Sequence, residues 1–412
     1  MNRTSQLACG LVLGAALIVA PAGAEEAAPA TDLVSAIGGG TPTFELRARY
    51  ETADIDNATP DGDAFTLRTR LGWTTAKWHD LQGIIEFDNV STLSGDYNDG
   101  IGAAEPYDTI ADPEGTELNR LQIAWTPSAA FAATLGRQRI TLDDQRFIGA
   151  VGWRQDDQTF DALRLDGKFG AFAISYGYLD HINRIFADEA DWSSQSHIVN
   201  ASYAFGPALK LAAFGYWLDF EDDSPANSNA TYGVRATGAQ AVGAVNLSYA
   251  ASYAVQSDYA DNPNDYEADY WALELSAAYG PATGIVGYES LEGEGAGRRF
   301  ITPLATGHKF QGWADVFLNT PNDGVEDLYV SGVYRLPIDA DYFSHTALTL
   351  SWHDFETERT GIDLGEEIDA QFTGAITPQV SFLVKYADFD SSGEPGAPAD
   401  ATRTWFGLEF KL

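Results

Sequence analysis

Along much of this chain every second residue is apolar while its neighbours are polar or small, a period that suits an extended strand with one greasy face and one wet face. Phe65, Leu67, Leu71 and Trp73 alternate with Thr66, Arg68, Arg70 and Gly72, and Thr69 is the one interruption. Phe44, Leu46, Ala48 and Tyr50 stand in the same way opposite Glu45, Arg47, Arg49 and Glu51. The pattern returns at 243–255 and at 328–335, where Leu328, Val330, Gly332 and Tyr334 oppose Tyr329, Ser331, Val333 and Arg335. Segments of about ten residues match the length a tilted strand needs to cross hydrocarbon. Beyond the N-terminus there is no apolar run long enough for a spanning helix. The predicted fold class is therefore all-β, a transmembrane antiparallel β-barrel around a polar lumen.

The connections fit that class, because bacterial barrels join strands by short periplasmic turns and longer outer loops. Short turns are predicted at 77–79, 126–128, 166–168, 205–207, 238–240, 280–282 and 377–379. Acidic or glycine-rich excursions alternate with them at about 53–62, 93–114, 141–157, 181–194, 221–228, 257–264, 291–324, 356–364 and 390–400. Counting strands around this alternation gives about eighteen, an even number that leaves both termini periplasmic. A soluble β-sandwich is the competing reading.

Both ends of the sequence favour the barrel. Asn2 and Arg3 precede an apolar stretch from Leu7 to Ala20, and Ala22-Gly23-Ala24 supplies small residues for signal peptidase. Residues 1–24 read as a cleaved secretory signal, 25–41 as a periplasmic linker and 42–412 as the barrel. A lipoprotein reading of Leu7-Ala8-Cys9-Gly10 fails because the apolar stretch follows the cysteine. Cleavage removes Cys9, the single cysteine, so the mature chain would hold no disulfide and no thiolate site. At the other end Phe406, Leu408, Phe410 and Leu412 share one face, resembling the terminal signal read by barrel-assembly machinery, with Leu412 in place of the commoner terminal Phe.

Charge then bears on cargo. A formal net charge of −36 excludes electrostatic attraction to nucleic acid, and a hydrophobic content of 45% argues against disorder. The carboxylates fall largely in the predicted outer loops, among them Asp54, Asp56, Asp61, Asp143, Asp144, Asp156, Asp157, Asp222 and Asp223. The strands carry the arginines instead. Arg47, Arg49, Arg68, Arg70, Arg120 and Arg164 lie opposite lipid-like residues and so are expected to face the lumen, since on the lipid side each would cost about 2–4 kcal/mol near the midplane. Fixed cations in a constricted pore favour a passing anion. Glu45, Glu51, Glu86 and Asp88 share those faces, so mutual salt bridges bracing the wall are the alternative.

The segment Leu135-Gly136-Arg137-Gln138-Arg139-Ile140, followed by Arg146 and by Gly152-Trp153-Arg154-Gln155-Asp156-Asp157 and Asp161-Ala162-Leu163, resembles the alginate export family of outer-membrane barrels. His308-Lys309-Phe310-Gln311-Gly312-Trp313-Ala314-Asp315 and Asn319-Thr320-Pro321 are similar to it as well, and the likeness runs from about residue 40 to the C-terminus. The resemblance implies an eighteen-stranded barrel whose electropositive constriction passes an anionic polysaccharide, with Arg137, Arg139, Arg146 and Arg154 as the matching residues. Strict alternation puts Arg137 and Arg139 in phase with Phe131, Ala133 and Leu135, so they reach the lumen only if a bulge near Gly136 shifts the register. Arg146 and Arg154 need their loop to fold inward.

The excursion 291–324 carries Arg298, Arg299, His308, Lys309 and Trp313 and is more basic than the other loops. Loops of that length are often functional. It is predicted to fold into the barrel and narrow it, with Arg298, Arg299 and Lys309 near the path; an exposed lid is the alternative. The histidines show no metal-ligand spacing, and neither a nucleophile-elbow serine nor a phosphate loop occurs. Ser344, His345, His353 and Asp354 lie near opposite ends of one predicted strand, which argues against a hydrolase site. The expected function is thus a passive, non-enzymatic outer-membrane conduit, without cofactor, for an anionic saccharide such as alginate. A general small-solute porin or a purely structural barrel is the alternative. Expected partners are membrane lipid and lipopolysaccharide, with periplasmic export proteins a further candidate.

Overall fold

The computed structural model describes residues 30–101, 105–187, 190–338 and 342–412. The expected signal peptide lies outside the described residues. The described part of the 25–41 segment is not a plain tether. Asp32 caps a short helix, α1 (Leu33–Gly38), by accepting from the Ser35 amide at 2.8 Å while Ser35 Oγ accepts from the Asp32 amide at 3.1 Å. The Trp73 indole donates to the Ile37 carbonyl at 2.9 Å, which ties the helix to the periplasmic rim.

The strands follow in chain order: β1 (Thr41–Ile55), β2 (Gly62–Thr74), β3 (Leu81–Asp96), β4 (Gly115–Ser128), β5 (Phe131–Gln138), β6 (Thr159–Phe169), β7 (Phe172–Asn183), β8 (Trp192–Gly206), β9 (Leu209–Leu218), β10 (Asn229–Val242), β11 (Val245–Asp258), β12 (Glu267–Tyr279) and β13 (Ala282–Leu291). A small hairpin, β14 (Gly293–Gly295) and β15 (Arg298–Arg299), precedes β16 (Val325–Arg335), β17 (Ser344–Glu356), β18 (Asp363–Thr377), β19 (Val380–Ser391) and β20 (Ala401–Lys411). Apart from the hairpin, all belong to one 18-stranded sheet of antiparallel sequence neighbours. β20 pairs with β1 and closes it, so the barrel has no free edge. The strand count and class are those the sequence predicts.

Alternation sets the two faces. On β2, Arg68 is fully buried inside while Leu71 is 53% exposed outside. The outer face carries aromatic residues near both rims: Trp125, Phe169, Tyr203, Phe205, Tyr279 and Tyr334 close to the short turns, and Tyr50, Tyr232, Tyr253, Trp271 and Tyr386 toward the loops. These are the girdles that amphipathic rings form at membrane interfaces.

Three predicted turns shift, and the first, at 126–128, lies within β4, whose reversal comes at 129–130. The turn placed at 238–240 lies within β10, which continues to Val242 and reverses at Gly243, whose φ is +63°. Gly238 serves close approach instead, since a Cβ there would lie 2.0 Å from the Ala208 carbonyl oxygen. Likewise 166–168 belongs to β6, and the reversal comes at Gly170, with φ +64°.

Candidate functional site

Two loops leave the outer rim and fold into the lumen: 139–158, between β5 and β6, and the 300–320 part of the connection between β13 and β16. They are stitched to each other. Ile148 and Leu304 form a parallel bridge, the Gly149 amide donates to the Leu304 carbonyl at 2.8 Å, and the Thr306 amide donates to the Gln145 carbonyl at 3.0 Å. A Cβ at Gly149 would lie 2.3 Å from Thr306 Oγ1, so no larger residue permits this contact. Buried Ile140, Ile148, Phe300, Leu304 and Phe317 join wall residues such as Phe160, Phe355, Phe389 and Trp405 in one apolar cluster inside the barrel. That burial explains why these loops enter: their apolar side chains find partners on the lumen face of the wall.

One half of the wall is cationic and almost completely paired. Arg47 bonds Glu409 at 3.1 Å and the carbonyls of Gly152 and Arg154. Arg49 donates to the Trp153 carbonyl and lies 3.7 Å from Asp112. Arg68 reaches Glu45 at 3.1 Å and Glu409 at 3.3 Å, and Arg70 grips Asp88 and, at 2.8 Å, Asp157. Arg120 bonds Glu86 at 2.6 Å. It faces inward by alternation with Leu121, which is 51% exposed, and beside it a bulge makes Asn119 the extra residue, Phe87 opposing Leu118 after the Glu86 pairing. Asp157 sits at the centre of this network. Burial alone would raise its pKa, but Arg70, Arg139 and Arg68 hold it well below the usual carboxylate range. Asp156 beside it is pushed up by burial and by the charges of Glu117 and Asp157. Asp143, Asp144, Asp156 and Asp157, expected in solvated outer loops, thus lie inside the barrel, Asp144 pairing with Arg235 at 2.7 Å.

The inward loops supply further cations. Arg146 bonds both oxygens of Glu289, at 2.7 and 3.2 Å, and stacks its guanidinium 4.8 Å from the Phe310 ring centroid. Arg154 Nη1 donates to both Glu51 oxygens at 3.0 Å, and its Nη2 to Asp315 at 3.0 Å. His308 stacks flat on Trp153 at 4.1 Å. Its Nδ1 is 2.8 Å from Asp315 and its Nε2 is 2.6 Å from the Lys385 ammonium. Burial, opposed by Asp315, pushes the His308 pKa down to about 3. The ring is therefore neutral, accepting from Lys385 at Nε2 and donating from Nδ1 to Asp315. Lys385 lies 3.7 Å over the Trp313 ring and 4.4 Å over Trp153, so cation–π contacts complete its cage.

The remaining predicted residues divide. Arg139 reaches the lumen, bonding Glu86 at 2.7 Å and Asp157, because β5 ends at Gln138 and the chain turns in. Arg137 does not. Gly136 has a φ of +111°, but Arg137 still pairs in step with Leu121 and Asp161, on the face where Leu135 is 63% exposed. It points outward and meets Asp161 at 2.8 Å, an interfacial ion pair. Arg164 faces inward near the periplasmic end and bonds Asp166 at 2.8 Å. Arg298 is exposed and Arg299 bonds Asn322 at 2.7 Å in the outer β14–β15 hairpin, so neither lines the path. Lys309 is inside and donates to the Asp144 carbonyl at 2.7 Å. Ser344 bonds His345, whereas His353 bonds Asp327, so no shared hydrolytic site forms.

Sequence reasoning missed Lys385 and Arg403. Arg403 donates to the Ala314 and Thr109 carbonyls and so ties the 300–320 segment and the β3–β4 connection to β20. Lys385 is the lone cation on the polar face of β19, and Arg403 shares the polar face of β20 with Lys411; cations on the polar face of an alternating strand are the signal that could have found them. Opposite the arginine wall, β9 to β17 and the loop tips enclose a cavity of about 490 Å³. Among the described residues no cluster of three or more potential metal ligands occurs.

The sequence profile for alginate export matches residues 43–280, more than half of the chain. Among curated proteins none matches. Solved structures share the fold. OccAB4 of Acinetobacter baumannii superposes with a TM-score of 0.70 at 14% identity, covering 90% of this chain and 98% of that one. A BenF-like porin from Pseudomonas fluorescens Pf-5 gives 0.69 at 14%, covering 92% and 100%. OpdK of Pseudomonas aeruginosa, solved with vanillate, gives 0.68 at 14%, covering 91% and 99%.

Proposed function

We propose a function from the premise that this chain belongs to the alginate export family: it is a passive outer-membrane channel through which short anionic saccharides cross. The observation that carries the anionic part is a set of guanidinium donors left over after the wall has paired. Arg49 Nη1 and Arg68 Nε and Nη1 are buried in the lumen wall without a hydrogen-bond acceptor, Asp112 and Asp157 standing 3.7 and 4.0 Å from the two Nη1 atoms, too far for a hydrogen bond. A buried donor without a partner costs about 1–3 kcal/mol, and a passing carboxylate would satisfy it. Arg47, Arg70, Arg120, Arg139, Arg146 and Arg154 stand around these donors or on the adjoining loops, so the path runs between wall and plug once the loops shift. Arg164 lies at the periplasmic exit. Expected surroundings are outer-membrane lipid and lipopolysaccharide, with periplasmic export proteins meeting the end that bears α1.

A second reading, a small-solute diffusion porin, is favoured by the two inward loops. They leave a cavity of small-ligand size rather than an open bore. OpdK, of the same fold, was solved with vanillate. Planar-bilayer recording separates the two. A saccharide channel gives an anion-preferring current that oligouronate blocks, whereas a small-solute porin shows no block by the oligomer. Cation preference together with indifference to oligouronate overturns the saccharide reading.

A further inference from the structure

The cavity opposite the arginine wall is bipolar, and its layout follows from strand register. One row of inward-facing residues runs across neighbouring strands as Lys210, Thr237, Ala250 and Glu274. The adjacent row runs Arg235, Ser252, Ala272 and Glu289. Each row therefore has a cation at the β9–β10 end, a carboxylate at the β12–β13 end and a floor of small side chains between. Three inter-strand steps separate the ends, about 14 Å of backbone, and the long side chains at each end narrow the gap.

Pairing inside the protein removes part of this dipole and leaves a specific remainder. Arg235 is taken by Asp144 at 2.7 Å and by Ser252, and Glu289 is taken by Arg146. Lys210 is exposed to the lumen and makes no ion pair among the described residues. Glu274 accepts from the Tyr329 hydroxyl at 2.7 Å, and its Oε1 is buried with no partner. Tyr329 reaches it across Gly287, where a Cβ would lie 2.1 Å from the tyrosine ring. From the inward loop Gln311, only 4% exposed, lines the same cavity with an Nε2 that has no acceptor. Lys309 beside it donates to the Asp144 carbonyl and feels the attraction of the Asp144 and Glu274 carboxylates.

We propose that this cavity is a binding site for a small zwitterion of amino-acid to dipeptide size. The carboxylate of the solute meets Lys210 at the β9 end of the row, and its ammonium donates to Glu274 at the β12 end. A solute of one sign satisfies one end and leaves the other unmatched. The inference goes beyond the saccharide reading, because it concerns the opposite side of the lumen and another class of solute.

The test is single-channel recording with three probes: dialanine, N-acetyl-dialanine, which keeps only the carboxylate, and dialanine amide, which keeps only the ammonium. Dialanine is expected to occlude the wild-type channel with an apparent affinity roughly tenfold above either blocked form, the ratio that one charge-assisted contact supplies. Lys210→Met should erase the advantage of dialanine over its amide, and Glu274→Gln its advantage over the N-acetyl form. Both substitutions sit on lumen-facing positions, and resistance of each barrel to SDS at room temperature checks that it is folded. Equal occlusion by all three probes, preference for the N-acetyl form, or unchanged ratios in both folded variants overturns the proposal. Oligouronate block is scored separately in the same channels. Its absence from the wild type counts against the saccharide reading alone.

Discussion

Arg154 is the place where the plug can be unfastened with one substitution. Its side chain is 6% exposed and joins the strand residue Glu51 to the loop residue Asp315, three hydrogen bonds of 3.0 Å in all. Arg154→Ala leaves two buried carboxylates short of a cation, and removing one partner of a buried pair costs about 3–5 kcal/mol. Compensation is at hand for both: Arg403 stands 3.5 Å from Glu51, and His308 already bonds Asp315. The lower end, about 3 kcal/mol, is therefore expected, roughly a hundredfold rise in the population whose loops have left the wall. The closed strand ladder is untouched, so the barrel should still melt as a unit. What changes is flickering between conductance levels and proteolysis within 139–158 and 300–320. Arg154→Met combined with Glu51→Gln removes the cation together with one of its two carboxylates, Asp315 keeping His308, and should recover part of the loss, since neutral replacement of a buried pair is often well tolerated. Wild-type noise and protection in Arg154→Ala, or a double variant as loose as the single one, would refute the fastening role.

Deleting 293–318 should raise single-channel conductance, because the inner half of that segment occupies the lumen; an unchanged value removes the constriction. Arg137→Gln should leave ion selectivity as it is, since its guanidinium faces outward, and a shift toward cations would show that it reaches the path after all. Gly149→Ala pushes a methyl group into Thr306 and should loosen the plug by about 1–3 kcal/mol, measured as faster hydrogen exchange at the Thr306 amide. Acid should act through His308. Its pKa is about 3 in place and 6.5 when the loop is free, so its contribution is intact above pH 6.5 and is lost as pH falls toward 3. The slope is about 1.4 kcal/mol per pH unit at most. Added channel noise at pH 4 that persists in His308→Gln would assign the effect to another group.

The barrel was legible because lipid imposes its demand on each strand separately. Phe65, Leu67, Leu71 and Trp73 declare a face without any knowledge of their neighbours, and the glycine turns punctuate them. Errors arose where a glycine served close packing rather than reversal, as at Gly238. The lumen was less legible, since which carboxylate meets which guanidinium depends on loops crossing the barrel. Asp157 looks like an outer-loop acid and is instead the shared partner of Arg70 and Arg139. Arg137 and Arg139 carry the same alternation signal, yet one remains on a strand and the other lies just past its end, so they fall on opposite sides of the wall.

That difference bears on what charge can say about cargo. The formal charge of −36 would seem to forbid an anion path. Yet much of the excess sits on solvent-facing residues such as Asp54, Asp56, Asp61, Asp222, Asp223 and Asp261. Salt screens such charges beyond about 8 Å at physiological ionic strength. Inside, screening is weak, but there the arginines and carboxylates cancel nearly pair by pair. A solute in the lumen therefore responds neither to the total nor to the arginine count. It responds to the few atoms that the fold leaves without a hydrogen-bond partner, Arg49 Nη1 and Arg68 Nε and Nη1 on one side and Glu274 Oε1 and Gln311 Nε2 on the other, and to Lys210, which makes no ion pair among the described residues. Substituting a paired arginine mostly alters the plug, whereas substituting an unmatched group alters the cargo.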